Sequence, residues 1–284
     1  MDTAWDVTFP ASHVTSGATR DAEHPPTPMG AATSTAKRGA ASWARDRGYH
    51  LCMRTLDIVA SLLALTLLAP LMLLIALLIK LDSPGPAVFR HVRQGMRRHG
   101  AETDPEESRL GRPFTLYKFR SMFADARQRF PELYGYNHTA EELRTLPIKV
   151  LVSRKRDPRE IAEHPEIGTG LVDDPRVTRV GRWLRRTSLD ELPNFINVLK
   201  GDMALVGPRP DIAENIRYYS PAHLRKLDVK PGITGLAQIM GRGNLSFLEI
   251  NDYDVAYVEQ QSLWLDLSIL LRTIPSVLKR DGAC

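Results

Sequence analysis

Cysteine is nearly missing from this chain: Cys52 and Cys284 are the only two. A disulfide framework is thereby excluded, as is any cysteine-based metal spacing. The eight histidines are scattered, with no i, i+4 ligand pair, so a zinc site has no ligands to draw on. No glycine-rich phosphate loop of the Walker or dinucleotide type occurs, and no internal repeat is visible. The opening MDTAWDVTFPASH has neither the basic stretch nor the apolar run of a signal peptide. A reducing, cytoplasm-facing catalytic part fits these absences best.

What the chain does carry is unevenly distributed. Its 284 residues suffice for one sizeable domain or two small ones, and an apolar share of 43% is ordinary for a packed core. Lys and Arg number 38 against 33 acidic residues, a formal charge of +5. That balance suits anionic partners (phosphorylated ligands, nucleic acid or lipid headgroups) without choosing among them.

Residues 1–48 are rich in Ala, Thr, Ser, Pro and Gly with no apolar periodicity, and read as a disordered tail. From Ile58 to Ile79 the run IVASLLALTLLAPLMLLIALLI has no charge. As a straight helix it is just long enough to cross a bilayer core of ~30 Å. Two features oppose a plain crossing. Pro70 sits near its middle, where it removes a helix hydrogen bond. Both flanks are basic: Arg45, Arg47 and Arg54 before, then Lys80, Arg90, Arg93, Arg97 and Arg98 after. The positive-inside bias satisfies both flanks only if the helix bends at Pro70 and returns. A re-entrant hairpin is therefore favoured over a kinked single span.

Beyond the turn SPGP, the stretch PFTLYKFRSM reads as a short strand, with Lys118 and Arg120 on one face and Tyr117 and Phe119 on the other. Residues 125–172 are charged and weakly periodic, an inserted helical or partly ordered excursion. VTRVGRWLRRTS reads as a helix with Val177, Val180 and Leu184 inward. A further helix is expected around Ile212 to Tyr219. The closing SLWLDLSILLRTIPSVLKR is an apolar helix that either lies in a membrane interface or packs on the core.

Asp190 and Glu191 stand side by side in TSLDELP. One reading is structural: Ser188 and Glu191 match a capping box, with Asp190 in the first helical turn. Pro193 complicates this, because it would then fall inside the helix; the alternative helix begins near Pro193 with both carboxylates just ahead of it. The chemical reading takes one carboxylate as a nucleophile kept ionised by nearby positive charge. Its neighbour then offers oxygen to Mg²⁺, as phosphoryl chemistry requires. Arg209, fixed between Pro208 and Pro210, suits bidentate phosphate contact.

The order of these pieces resembles the bacterial sugar transferase family, the monotopic polyprenyl-phosphate phosphoglycosyl transferases. The resemblance covers about Arg54 to Leu278 and rests on six runs: RTLDIVASLLALTLLAP, IKLDSPGPAVFRHVRQG, LYKFRSM, DDPRVTRVGRWLRRTSLDELPNFINVLKGDMALVGPRP, VKPGITGLAQ and DYDVAYVEQQSLWLDLSILLRTI. It implies that Asp190 attacks the sugar-bearing phosphate of a UDP-sugar and expels UMP. A polyprenyl phosphate, undecaprenyl in kind, then accepts the phosphosugar. Glu191 assists through Mg²⁺, with Asp190 and Glu191 as the metal ligands. Lys118, Arg120, Arg185, Arg209 and Asp254 match pocket positions, and Gln238 and Arg242 lie on a nearby matching loop. Ala69 before Pro70, His91 and Met240 depart from the family's usual Ser, Gln and Asn or Ser, and the excursion after Met122 is longer than usual. The extra transmembrane helices of larger relatives are not expected.

The expectation is thus an α+β, mostly helical fold, in which a re-entrant membrane hairpin joins a small cytoplasmic catalytic domain with amphipathic interfacial helices. Its parts are a tail (1–48), a membrane helix kinked at Pro70 (49–82), a catalytic domain (83–262) and a C-terminal apolar helix (263–284). The expected location is the cytoplasmic face of the bacterial inner membrane, with UDP-sugar and polyprenyl phosphate as partners and no nucleic acid. A non-catalytic membrane-anchored scaffold is the competing class.

Overall fold

The computed structural model describes residues 40–97, 110–134, 140–146 and 174–278. The chain divides into two compact units, Met1–Leu51 and Cys52–Cys284. Residues 1–39 of the expected tail and most of the excursion lie outside the described residues.

Helix α1 runs Ala40–Asp82 and contains Pro70, so the last residues of the stretch expected to be tail are helical. Its part Gly48–Asp82 is long and apolar enough to cross a membrane. The helix runs through Pro70 without a break in its assignment, and the two ends of the apolar run are its covered parts. Near the front, Met53, Asp57 and Ser61 are buried. Arg54 donates to the carbonyls of Val198 and Leu199 at 2.6 and 2.8 Å, and Asp57 Oδ1 accepts from Leu205 N at 2.9 Å. At the far end Ile75 and Ile79 are buried, and Asp82 Oδ2 accepts from Val180 N at 3.0 Å. Between them Leu62, Leu63, Leu67, Leu73 and Leu74 are exposed.

Strand β1 (Val88–Gln94) pairs antiparallel with β2 (Pro113–Phe119), from Val88 opposite Phe119 to Gln94 opposite Pro113. The expected strand is therefore present and stops one residue before Arg120. Helix α2 (Ala126–Arg129), a 3₁₀ turn (Pro131–Tyr134) and α3 (Ala140–Thr145) are the described parts of the excursion. Leu143 of α3 packs in a cluster with Ile216, Tyr219, Leu224, Leu227 and Phe247.

Helix α4 covers Arg179–Thr187. Its start is capped by Thr178 Oγ1, which accepts from Gly181 N at 3.0 Å. Val177, expected inside this helix, instead bridges to Met122. Helix α5 follows at Asn194–Lys200 and ends on Gly201, whose φ of +84° suits glycine. Ile75, Ile79, Phe119 and Leu184 form the core where α1, β2 and α4 meet, with Leu189 and Leu192 against it.

Strand β3 (Ala204–Val206) leads into the Pro208–Pro210 loop and α6 (Ala213–Ile216), shorter than expected. A 3₁₀ segment (His223–Asp228) precedes β4 (Gly232–Thr234), which pairs parallel with β3. Helix α7 (Leu236–Met240) and a 3₁₀ turn (Arg242–Asn244) come next. Helix α8 (Phe247–Gln260) opens on a full capping box: Ser246 Oγ accepts from Glu249 N, and Glu249 Oε2 accepts from Ser246 N. Helix α9 (Leu263–Leu278) buries Asp266 and Ile269 while Trp264, Leu267, Leu271 and Ile274 are exposed. One face of α9 packs on the domain, as one of the two sequence readings has it, and the other is an uncovered apolar face.

Candidate active site

The Asp190–Glu191 pair occupies a single 3₁₀ turn, Leu189–Glu191, between α4 and α5. Ser188 just before it has φ +56°, the one positive value outside glycine among the described residues. Residues held in this sparsely populated region persist where the surroundings over-determine them, as at functional turns. Ser188 ends α4, its N–H donating to Arg185 O at 3.2 Å, and it makes no side-chain cap. The capping-box reading is therefore corrected. Glu191 does not turn back to Ser188 N, because its carboxylate accepts from Lys118 Nζ at 2.6 Å. The next helix starts right after Pro193, with both carboxylates ahead of it.

The turn is fixed by what grips β2 on either side. Asn197 of α5 is fully buried; its Oδ1 accepts from Tyr117 N at 3.0 Å and its Nδ2 donates to Thr115 O at 2.7 Å. The side chain thus satisfies backbone groups that a neighbouring strand would otherwise take. From the other side Leu184 packs on Phe119, and Arg185 Nε donates to Ser121 Oγ at 2.9 Å. Lys118, between these two fixtures, meets Glu191.

Arg209 is exposed between two buried prolines. Gly207 ahead of this loop lies so close to Lys230 O that a Cβ would sit 2.4 Å from it. Lys118, Glu191, Arg209, Asn194, Arg93 and Gln238 line one narrow cleft. The half-buried Asp190 carboxyl is pushed up to about 6 by loss of solvent and by the charge of Glu191, while Lys118, Arg185 and Arg209 pull it back down. At neutral pH the aspartate remains mostly ionised, desolvated and surrounded by cations, the state a phosphoryl-attacking carboxylate needs.

Two candidates lie elsewhere. Arg120 is 4% exposed and donates to the carbonyls of Pro84 at 2.7 Å and Ser83 at 2.8 Å, with Ile79 O at 3.4 Å. Its guanidinium serves the carbonyls of the last turn of α1 and of the turn that follows it. Asp254 is fully buried and pairs with Lys226 Nζ at 2.7 Å. Lys226 also reaches Asn251 at 2.9 Å and Asp211 at 3.2 Å, and Tyr219 hydroxyl donates to Asp211. Asp254 thus belongs to a buried network that holds Asp211, the residue following the Pro208–Pro210 loop.

Gln238 is at the cleft, with Nε2 donating to Ile233 O at 3.2 Å. The Arg242 side chain lies outside the described residues. Asn194, Arg93 and Lys226 escaped the sequence reading. Asn194 sits one turn past the dyad, a spacing that could have flagged it. Arg93 and Lys226 carry no local signal, since their roles come from partners far along the chain, Pro210 O at 3.4 Å in the case of Arg93.

The adjacent carboxylates offer oxygen ligands only, which suits Mg²⁺ completed by phosphate oxygens. No cluster of three or more His, Cys, Asp or Glu occurs among the described residues. The donor set therefore fits a phosphate-bridged ion and not a closed protein cage.

The sequence profile of the family described as bacterial sugar transferase matches residues 48–280. The chain belongs to the bacterial sugar transferase family. This membership makes it a transferase. Similar proteins include the UDP-glucose:undecaprenyl-phosphate glucose-1-phosphate transferase of Caulobacter vibrioides, 39% identical over 81% of this chain and 71% of that protein. The undecaprenyl-phosphate galactose phosphotransferase of Salmonella typhimurium is 38% identical over 84% of this chain, which spans only 42% of that longer protein. The exopolysaccharide production protein ExoY of Rhizobium meliloti is 35% identical over 82% of this chain and 88% of its own length.

Proposed function

We propose that this transferase moves a sugar 1-phosphate from a UDP-sugar to undecaprenyl phosphate through an aspartyl-phosphosugar intermediate, starting exopolysaccharide or related glycoconjugate assembly. The observation that carries this is the convergence of Lys118, Arg185 and Arg209 on a desolvated Asp190 beside Glu191, itself paired with Lys118. The names of the Caulobacter and Salmonella relatives fit the same substrates, and that of ExoY fits exopolysaccharide production.

In the first step an Asp190 carboxylate oxygen bonds to the phosphorus bearing the sugar. The bond from that phosphorus to the oxygen bridging toward uridine breaks, and UMP leaves with the electron pair. In the second step a phosphate oxygen of the polyprenyl carrier bonds to the same phosphorus. The acyl phosphate bond breaks, regenerating the carboxylate and giving a polyprenyl diphosphate sugar. Lys118, Arg185 and Arg209 neutralise charge on both anionic substrates in turn. Asp190 and Glu191 would hold Mg²⁺, which supplies charge neutralisation on the diphosphate.

A lipid phosphate stays at headgroup depth, so the site must lie there. The apolar α1 run bent at Pro70 serves as a re-entrant anchor on the cytoplasmic face of the inner membrane. Support comes from its two ends, both docked on the catalytic domain while the leucines around Pro70 are exposed.

The test is Asp190→Asn in purified protein with UDP-sugars and undecaprenyl phosphate. UMP release and the covalent phosphosugar adduct should both drop by at least ~10³-fold, since the nucleophile itself is gone. Turnover within about tenfold of the wild type would discard the nucleophile.

A further inference from the structure

Two amide oxygens in the cleft have no donor. Asn194 Oδ1 and Gln238 Oε1 are buried without a hydrogen-bond partner among the described residues, and both side chains line the cleft shared by Lys118, Glu191 and Arg209. Asn194 is 3% exposed and opens α5 one turn beyond the dyad. The amide of Gln238 is oriented by its Nε2 bond to Ile233 O, which leaves the oxygen as the open end. Buried acceptors without donors are rare, and each calls for a specific explanation, such as a ligand that supplies the hydrogen. An amide oxygen offers lone pairs only. It cannot receive a phosphate, whose oxygens are also acceptors and which the cleft's cations already suit.

We propose that Asn194 Oδ1 and Gln238 Oε1 accept hydrogen bonds from hydroxyl groups of the transferred sugar, and that Asn194 thereby selects among sugars. The inference rests on the proposed attack of Asp190 at the sugar-bearing phosphorus. That attack brings the sugar ring next to the Asp190 turn, where Asn194 is the buried polar side chain facing the cleft. The uridine hangs from the other phosphorus, farther from the reacting atom. A site built to hydrogen-bond a hydroxyl discriminates strongly against a ligand that lacks it, because its own polar group is then left unpaired.

The experiment measures kcat/KM for UMP release from UDP-glucose, UDP-galactose and their monodeoxy analogues, with wild type and Asn194→Leu. In the wild type, one monodeoxy donor should fall by roughly 10²-fold or more. Asn194→Leu should lose a similar factor with the parent sugar, and that loss should shrink below about threefold with the matching monodeoxy donor, the signature of a shared contact. Inhibition by free UMP and the Mg²⁺ dependence should stay as in wild type.

An Asn194→Leu loss that is equal across the series overturns the assignment. So does a loss carried by UMP affinity or by Mg²⁺ dependence, which would make Asn194 a uridine or metal contact. If Asn194→Leu does not fold, the wild-type series and Gln238→Met decide by the same criterion, and a series with no monodeoxy donor down more than threefold is an overturning result. A wild type that releases UMP from no UDP-sugar removes the parent reading as well, whereas flat coupling in an active enzyme removes only the sugar contact.

Discussion

Asp190 works against its own solvation. Burial and Glu191 raise its carboxyl to about 6, and three cations limit the rise. For a carboxylate nucleophile the sign is simple: the reactive form is lost as pH falls through that value. The kcat/KM of UMP release should be level above about pH 7 and fall toward tenfold per pH unit below about pH 6. Lys118 pulls the carboxyl down, so Lys118→Met should move the acid limb to higher pH besides lowering the plateau. A pH–rate profile of both proteins checks this; a limb that stays put, or moves to lower pH, contradicts the electrostatic account. At this scale the sequence was most informative about the dyad and the flanking cations. At Arg120 and Asp254 a matching pocket motif does not reveal that the guanidinium donates to carbonyls around the end of α1 or that the carboxylate pairs with a buried lysine. Residue type and order are legible in a chain; the direction of a side chain is set by packing, as Lys226 against Asp254 and Asp211 illustrates.

At the scale of elements, the site depends on how closely α4 approaches the end of β2. A Cβ on Gly181 would lie 2.0 Å from Ser121 O, while Thr178 N donates to that same oxygen at 3.1 Å. Glycine is required here by proximity alone. Gly181→Ala should push α4 away, costing about 2–4 kcal/mol of stability by overpacking and broken contacts. It should also slow UMP release by roughly tenfold or more, because Arg185 and the dyad turn ride on the displaced helix. Denaturant titration and UMP assays of the folded variant test both parts; a change in stability under about 0.5 kcal/mol would show that the contact is not tight. Strand β2, the apolar α1 run and the closing helix were all readable from periodicity and length. The capping reading at Ser188 failed because its pattern matches a helix start, whereas the backbone there is a left-handed helix end. The genuine capping box, Ser246 with Glu249, passed unnoticed because nothing chemical drew attention to it.

For the whole molecule, the anchor decides where the chemistry happens. Either part of the apolar run on the two sides of Pro70, Ile58–Ala69 or Leu71–Ile79, is too short to span ~30 Å, whereas the straight run from Ile58 to Ile79 would just suffice. In the re-entrant arrangement proposed above, straightening would have a cost: it would pull Arg54 from the carbonyls of Val198 and Leu199, and Asp57 from Leu205 N. Hydrogen bonds to charged groups contribute about 1.5–3 kcal/mol each, enough to hold the proposed re-entrant form once proline has weakened the middle turn. Cys52 is an exposed thiol just ahead of this contact and reports its side of the membrane. In a Cys284→Ser background, a membrane-impermeant maleimide should label Cys52 in inverted inner-membrane vesicles and not in intact spheroplasts. Pro70→Leu restores the missing helix bond, so part of the population should straighten. Labelling from outside should then appear, with loss of UMP release in proportion as Arg54 and Asp57 leave the domain. Labelling of the wild-type Cys52 from outside would mean that the helix crosses, and that its front end cannot be docked beside a cytoplasmic Asp190.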